Sequence, residues 1–168
     1  MRKTVHILGK HNVERLSGNK GRRVAAQGWV AIPYLLDTQN HIEVVNRLYM
    51  GHEFEGQTEV KKELLAKLCG YKSQDKKKSR DSIIVEYDEL LEKMVLSKMK
   101  CSYCQSVMKL LYLDVRDSEQ WTLDRKNNDV GHSNENTVLS CLRCNLGKRR
   151  IDDDKFRFTK QMRLIKKI

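Results

Sequence analysis

Four cysteines in two close pairs carry the plainest chemistry in this chain. Cys101-Ser102-Tyr103-Cys104 and Cys141-Leu142-Arg143-Cys144 are separated by 36 residues. Each C-x-x-C pair can present two thiolates from one tight knuckle, and a chain that folds back between them brings four sulfurs to the corners of a tetrahedron. Thiolates at this spacing select zinc among the abundant divalent ions, and four of them leave no open position for water. The expected role of such an ion is structural, with its binding free energy contributing to folding. Two unrelated disulfides are the alternative. Of five cysteines, four stand in metal-ligand spacing, which favours an intracellular metal site over a disulfide framework. No histidine competes as a ligand, because His6, His11, His41 and His52 are all remote in sequence. Cys69, at the end of an apolar helix face, reads as a small buried hydrophobe.

Helices upstream and strands between the pairs must hold these knuckles in place. Leu90, Leu91, Met94, Val95 and Met99 recur at helical spacing in a segment that starts after Tyr87 or Asp88. That helix runs straight into Cys101 and is expected to buttress the first knuckle. Earlier, Ile42, Val45, Leu48 and Tyr49 mark one helix stopped at Gly51. Val60, Leu64, Leu65 and Leu68 mark another, capped by Thr58 and stopped at Gly70. Residues 71–80 concentrate lysine and break the pattern, as a solvated linker or else a second basic contact. Val5–Leu8 and Trp29–Leu36 are candidate strands, with Pro33 suiting the second to an edge or an irregular turn. Between the knuckles, Val107–Val115 reads as a strand or hairpin arm, Trp121–Asp124 as another, residues 125–136 as a long polar loop, and Thr137–Ser140 as the returning strand. Asn145–Arg150 permits a helix despite Gly147.

Charge points to the partner. The 168 residues carry a formal net charge of +11, which makes a polyanion the first expectation. Lys10, Arg15, Lys20, Arg22 and Arg23 form a phosphate-contacting arm or a solvated loop. Lys148, Arg149, Arg150 and Lys160 are candidate contacts to nucleic-acid phosphates. Between these last residues, Asp152–Asp154 reads as a helix-ending solvated loop. Phe156 and Phe158 alternate with charge as in a short strand or a docking tail. No apolar run approaches the roughly 20 residues that span a bilayer, and the apolar run near Met1 is too short for a secretory signal. A membrane partner is therefore not expected. The fold class is α+β: a basic segment (1–36), a helical region (37–100) with the lysine-rich linker near 71–80, and a zinc-binding unit with a basic tail (101–168).

The run L-D-R-K-N-N-D-V-G-H-S-N-E-N-T-V-L-S-C-L-R-C-N-L-G-K-R, supported by the upstream C-S-Y-C, resembles the HNH (His-Me finger) endonucleases. The order of knuckle, strand, loop, strand, knuckle and helix resembles their treble-clef scaffold with its ββα unit. The W-T-L-D-R, G-H, N and C-L-R-C-N-L series, and the stretch from Tyr71 to Asp75, are similar to HNH-like proteins of large DNA viruses. The specific match covers about residues 101–160.

The resemblance implies a metal-dependent endonuclease acting on DNA, located in host cytoplasm, nucleus or virion. Asp124 falls on the aspartate that binds the catalytic divalent ion, Mg²⁺ or Mn²⁺. Asn145 falls on the other usual ligand, and Asn136 on the asparagine that shapes the loop. Arg125 departs from the pattern, because it stands where the general-base histidine belongs and an arginine cannot accept a proton from water. His132, seven residues on, is the nearby imidazole in a suitable pKa range and the candidate substitute base. A loop histidine making a backbone hydrogen bond is its bland alternative. The competing function is a catalytically silent zinc-binding module that binds nucleic acid or docks in a virion or ribonucleoprotein.

Overall fold

The computed structural model describes residues 28–80 and 83–162, together with His6 and Gly9. Val5–Leu8 and the basic arm from Lys10 to Arg23 lie outside the described residues, His6 excepted. The described chain is a mixed α and β structure whose helices precede and flank a two-stranded sheet. Among the described residues no helix is long and apolar enough to cross a membrane.

Trp29–Leu36 is helical, not a strand. A 3-10 turn spans Gly28–Ala31 and a single helical turn, α1, spans Pro33–Leu36. Pro33 occupies the first turn, where its missing N–H costs nothing, and the preceding Ile32 is extended as a residue before proline prefers. Helix α2 runs His41–Tyr49 and buries His41, Val44, Val45 and Leu48. The chain then turns at Gly51, whose φ of +72° is the left-handed conformation expected of a glycine stop.

Helix α3 (Gln57–Lys77) overturns two expectations. Its N-cap is Gly56 rather than Thr58, and it passes straight through Gly70 to absorb most of the presumed linker. The physical reason is a buried stripe that continues past the glycine. Val60, Leu64, Leu68, Tyr71 and Asp75 are spaced by three or four residues and all face inward. The lysines that mask this pattern point to solvent, as do Leu65 and Cys69, so Cys69 is no core residue. Helix α4 (Tyr87–Ser97) follows expectation, with a reciprocal capping box between Glu86 and Glu89. It buries Leu90, Leu91 and Met94, and Met99 beyond it is also fully buried.

Strands β1 (Trp121–Arg125) and β2 (Thr137–Cys141) pair antiparallel, with Trp121 opposite Cys141 and Asp124 opposite Val138. Val107–Val115 forms no strand, only isolated bridges from Val107 to Lys100 and from Lys109 to Gln120. Helix α5 (Leu142–Lys148) follows β2 directly, and α6 (Asp153–Gln161) closes the described chain. The aspartates therefore begin a helix instead of ending one. The Asp152 side chain accepts from the Lys155 amide, and negative charge in the first turn suits the helix dipole. Phe156 is buried edge-on against Tyr103 while Phe158 lies 68% exposed.

Two side chains, the buried His41 and the half-buried Lys67, tie the helices to the chain on and before β1. The Leu110 amide donates to His41 Nδ1 at 3.0 Å, which leaves the ring proton on Nε2 to donate to Leu35 O at 3.1 Å. Lys67 reaches across to Trp121 O, Gln120 Oε1 and Tyr112 Oη, and burial pulls its pKa down to about 7. His41, too, has a pKa held below 6.5, chiefly by burial. The unfolded chain then binds a proton that the folded chain refuses, so this contribution is complete above about pH 6.5 and declines as pH falls below it. Replacing His41 by Leu strands two buried backbone groups at about 1–3 kcal/mol each. Urea denaturation should show that loss at pH 7.5, together with a shallower fall in stability between pH 6.5 and 5 than in the wild type.

Candidate functional site

The two cysteine pairs converge. All four Sγ atoms lie within 4.8 Å of one another, and those of Cys104 and Cys141 are 3.8 Å apart. A tetrahedron with arms of about 2.3 Å from metal to sulfur has edges of about 3.8 Å. Among the described residues this is the one group of three or more His, Cys, Asp or Glu side chains whose ligand atoms gather so closely. Local chain geometry explains the approach. The Cys101 amide donates to Ser106 O and the Gln105 amide to Cys101 O, folding the first knuckle with Gln105 at φ +60°. Cys141 sits at the N-cap of α5 with its side chain free of any capping bond, and Cys144 lies in the first turn. Four sulfurs this close and mostly buried cannot all be ionised without a cation between them. The donor set and spacing fit a tetrathiolate metal centre.

A second site, lined by one carboxylate and four arginines, includes Asn145, the neighbour of Cys144. A cleft of about 380 Å³ is bordered by Asp124, Arg125, His132 and Asn145, with Arg80, Arg149 and Arg150 around it. Asp124 is carried by β1, where its Oδ2 accepts a 2.6 Å hydrogen bond from Tyr103 Oη and lies 3.5 Å from Lys148 Nζ. Burial raises its pKa, against the downward pull of Tyr103 and Lys148. Asn145, in the first turn of α5, donates its amide nitrogen to Thr122 Oγ1 at 3.0 Å and Leu123 O at 3.4 Å. Both anchors leave one oxygen apiece, Asp124 Oδ1 and Asn145 Oδ1, outside these bonds. A carboxylate and an amide oxygen are the ligands a hard divalent ion takes.

His132 is fixed by a carboxylate from α3. Asp75 Oδ2, at the end of α3, accepts from both the His132 backbone amide (2.7 Å) and the ring Nδ1 (2.9 Å). The ring also packs against Tyr71 at 4.6 Å between centroids, and Tyr71 Oη accepts from the Leu123 amide of β1. A carboxylate facing Nδ1 places the proton there and leaves Nε2 with its lone pair. Burial holds the imidazole pKa below 6.5 despite Asp75, and the Arg125 and Arg80 charges add to the lowering. At neutral pH the ring is therefore an uncharged proton acceptor on the wall of the cleft.

The other expected site residues take definite places. Arg125 lies 3.9 Å from Asp75 Oδ1 and donates to Asn128 O, so its guanidinium flanks the pair instead of replacing the imidazole. Asn136 ends the loop between the two strands. Its Oδ1 accepts from the Asn127 amide and its Nδ2 donates to Asn127 O and Gly131 O, closing the loop. Arg149 and Arg150 are exposed at the cleft and Lys160 is exposed on α6. Lys148 corrects the expectation of a phosphate contact. It is 1% exposed, and its ammonium donates inward to Arg125 O at 2.7 Å beside Asp124.

Tyr71, Asp75, Arg80 and Tyr103 were missed as site residues. Asp75 had a legible signal, because it continues the inward stripe of α3, and a carboxylate on an apolar face must find partners. Tyr103, inside the first knuckle, bonds Asp153 Oδ1 as well as Asp124, both at 2.6 Å, and nothing in local pattern marks that reach.

No protein-family model matches the chain, and no curated protein or solved structure matches it either.

Replacing Asp75 by Ala removes the acceptor for two His132 donors and the counter-charge for Arg80 and Arg125. Breaking a buried charged pair from one side costs about 3–5 kcal/mol. Chemical denaturation of the variant should show a loss of that size, and a loss below about 1 kcal/mol would contradict the anchoring role.

Proposed function

We propose that the chain is an HNH-like endonuclease, hydrolysing DNA phosphodiester bonds with a divalent ion on a zinc-stabilised treble-clef scaffold. One observation carries the reading: the Asp124 carboxylate, the Asn145 amide oxygen and an Asp75-oriented His132 all border one arginine-rimmed cleft. The residue types alone are common, but their convergence on one cleft is what supports the reading.

In this proposal His132 Nε2 takes a proton from water as the water oxygen attacks phosphorus, and Nδ1–H stays on Asp75, which stabilises the imidazolium that forms. The bond from phosphorus to the 3′ oxygen breaks on the opposite side. Asp124 and Asn145 would hold Mg²⁺ or Mn²⁺, which would supply positive charge to stabilise the leaving group. Lys148 and Tyr103 fix Asp124 in the orientation this needs. Arg125, Arg149 and Arg150 supply positive charge to the phosphates without any role in proton transfer. The four cysteines would hold zinc, which suits an all-sulfur tetrahedral set and leaves no place for substrate.

Purified protein incubated with duplex, single-stranded and branched DNA should cleave at least one form in Mg²⁺ or Mn²⁺ and none in chelator. His132→Ala should lower the rate by about 10²–10⁴-fold, the usual range for a lost general base. The wild-type rate should fall on the acid side with a midpoint below pH 6.5, because the base must be neutral and its pKa is lowered. Cleavage unchanged by His132→Ala or Asp124→Ala would remove their assigned roles. Salt-sensitive binding without cleavage under any divalent ion would identify a silent nucleic-acid-binding scaffold instead.

Elemental analysis should find one zinc per chain, and a strong chelator or Cys101→Ser should lower the melting temperature. An intact fold with no bound metal would contradict the tetrathiolate assignment.

A further inference from the structure

Arg80 borders two depressions. One is the cleft of Asp124 and His132. The other is a groove of about 1010 Å³ between α3 and the Ile83–Tyr87 segment. The α3 wall of this groove presents Leu68, Lys72 and Lys76, and the facing wall presents Ile83, Ile84 and Tyr87. Among the described residues its two carboxylates are Asp75 and Glu86. Asp75 Oδ2 is held by His132, and the Glu86 side chain accepts a backbone amide in the capping box of α4. The groove is thus cationic along one wall and apolar along the other, with Ile83 85% exposed.

We propose that this groove binds a single-stranded nucleic acid, as the continuation of a strand held in the cleft. The inference extends the nuclease reading and takes its directionality from it, although the binding chemistry stands apart from cleavage. Lys72 and Lys76 are one helical turn apart, about 6 Å along the axis, close to the separation of neighbouring phosphates on an extended strand. A paired duplex hides its base faces, so an apolar wall opposite a cationic one offers it nothing. A single strand presents phosphates on one side and unpaired bases on the other, which is the division this groove makes. Tyr87 supplies an aromatic surface at the far end, with Lys61 Nζ 5.3 Å from its ring centroid. Arg80, at the junction, joins the groove to the cleft as one electropositive track.

The test is fluorescence anisotropy with labelled oligothymidylate and, separately, a blunt duplex of equal length, both without divalent ions. The full chain is compared with the double variant Lys72→Ala/Lys76→Ala and with Lys62→Ala/Lys77→Ala, which removes the same charge from α3 outside the groove. The groove variant should bind the single strand about ten-fold more weakly at low salt. Its log–log salt dependence should flatten by roughly 1.4, the value for two lost phosphate contacts on a single strand. Duplex binding should change no more than in the control variant. Equal losses on single strand and duplex, equal losses in groove and control variants, or no single-strand binding by the wild type would each overturn the proposal. Because no cleavage is measured, these outcomes are independent of whether the cleft is a nuclease. A groove variant that keeps wild-type cleavage of a blunt duplex but loses it on a substrate with a single-stranded tail would support both readings together.

Discussion

The rest of the structure depends on one buried carboxylate. Asp75 is 3% exposed at the end of a 21-residue helix, and a charge in that position is tolerated only where several donors meet it. His132 provides two donors from the loop between the strands, while Arg80, just beyond the end of α3, and Arg125 of β1 bring positive charge. The same contact therefore docks the helical region onto the sheet, closes the long loop and sets the tautomer of the ring that faces the cleft. Tyr71, one turn earlier on α3, reinforces it by packing on His132 and receiving the Leu123 amide.

Two sites with different chemistry share this frame. Soft sulfur ligands gather at the knuckles, where the set is closed and buried. Hard oxygens and an imidazole gather at the cleft, where Asp124 and Asn145 each keep one oxygen free of the bonds that anchor them. Tyr103 connects them, because it lies between two of the cysteines in sequence and its hydroxyl meets Asp124. Order at the knuckle is thereby transmitted to the carboxylate, which couples the four-cysteine cluster to the cleft.

What could be read from the sequence was what local spacing encodes. Cys101, Cys104, Cys141 and Cys144 were legible because two C-x-x-C pairs leave few alternatives, and β1, β2 and α4 followed from apolar and β-branched pattern. Residues 71–77 were not, because lysines on the solvent face of α3 resemble a linker while the buried face is carried by only Tyr71 and Asp75. Trp29–Leu36 looked extended because its residues are bulky and apolar, whereas the proline at the helix start decided the local conformation. Lys148 read as a surface cation and is buried, since a side chain can turn inward when a carbonyl and a carboxylate await it. Long-range pairings such as Asp75 with His132, 57 residues apart, have no local signature.

The proton position on His132 bears on the account most directly. Nitrogen-15 NMR of the imidazole across a pH titration distinguishes a protonated from an unprotonated ring nitrogen at each pH. The account predicts Nδ1 protonated and Nε2 unprotonated at pH 7, with a ring pKa below 6.5. An Nε2–H tautomer, or an imidazolium at pH 7, would contradict it.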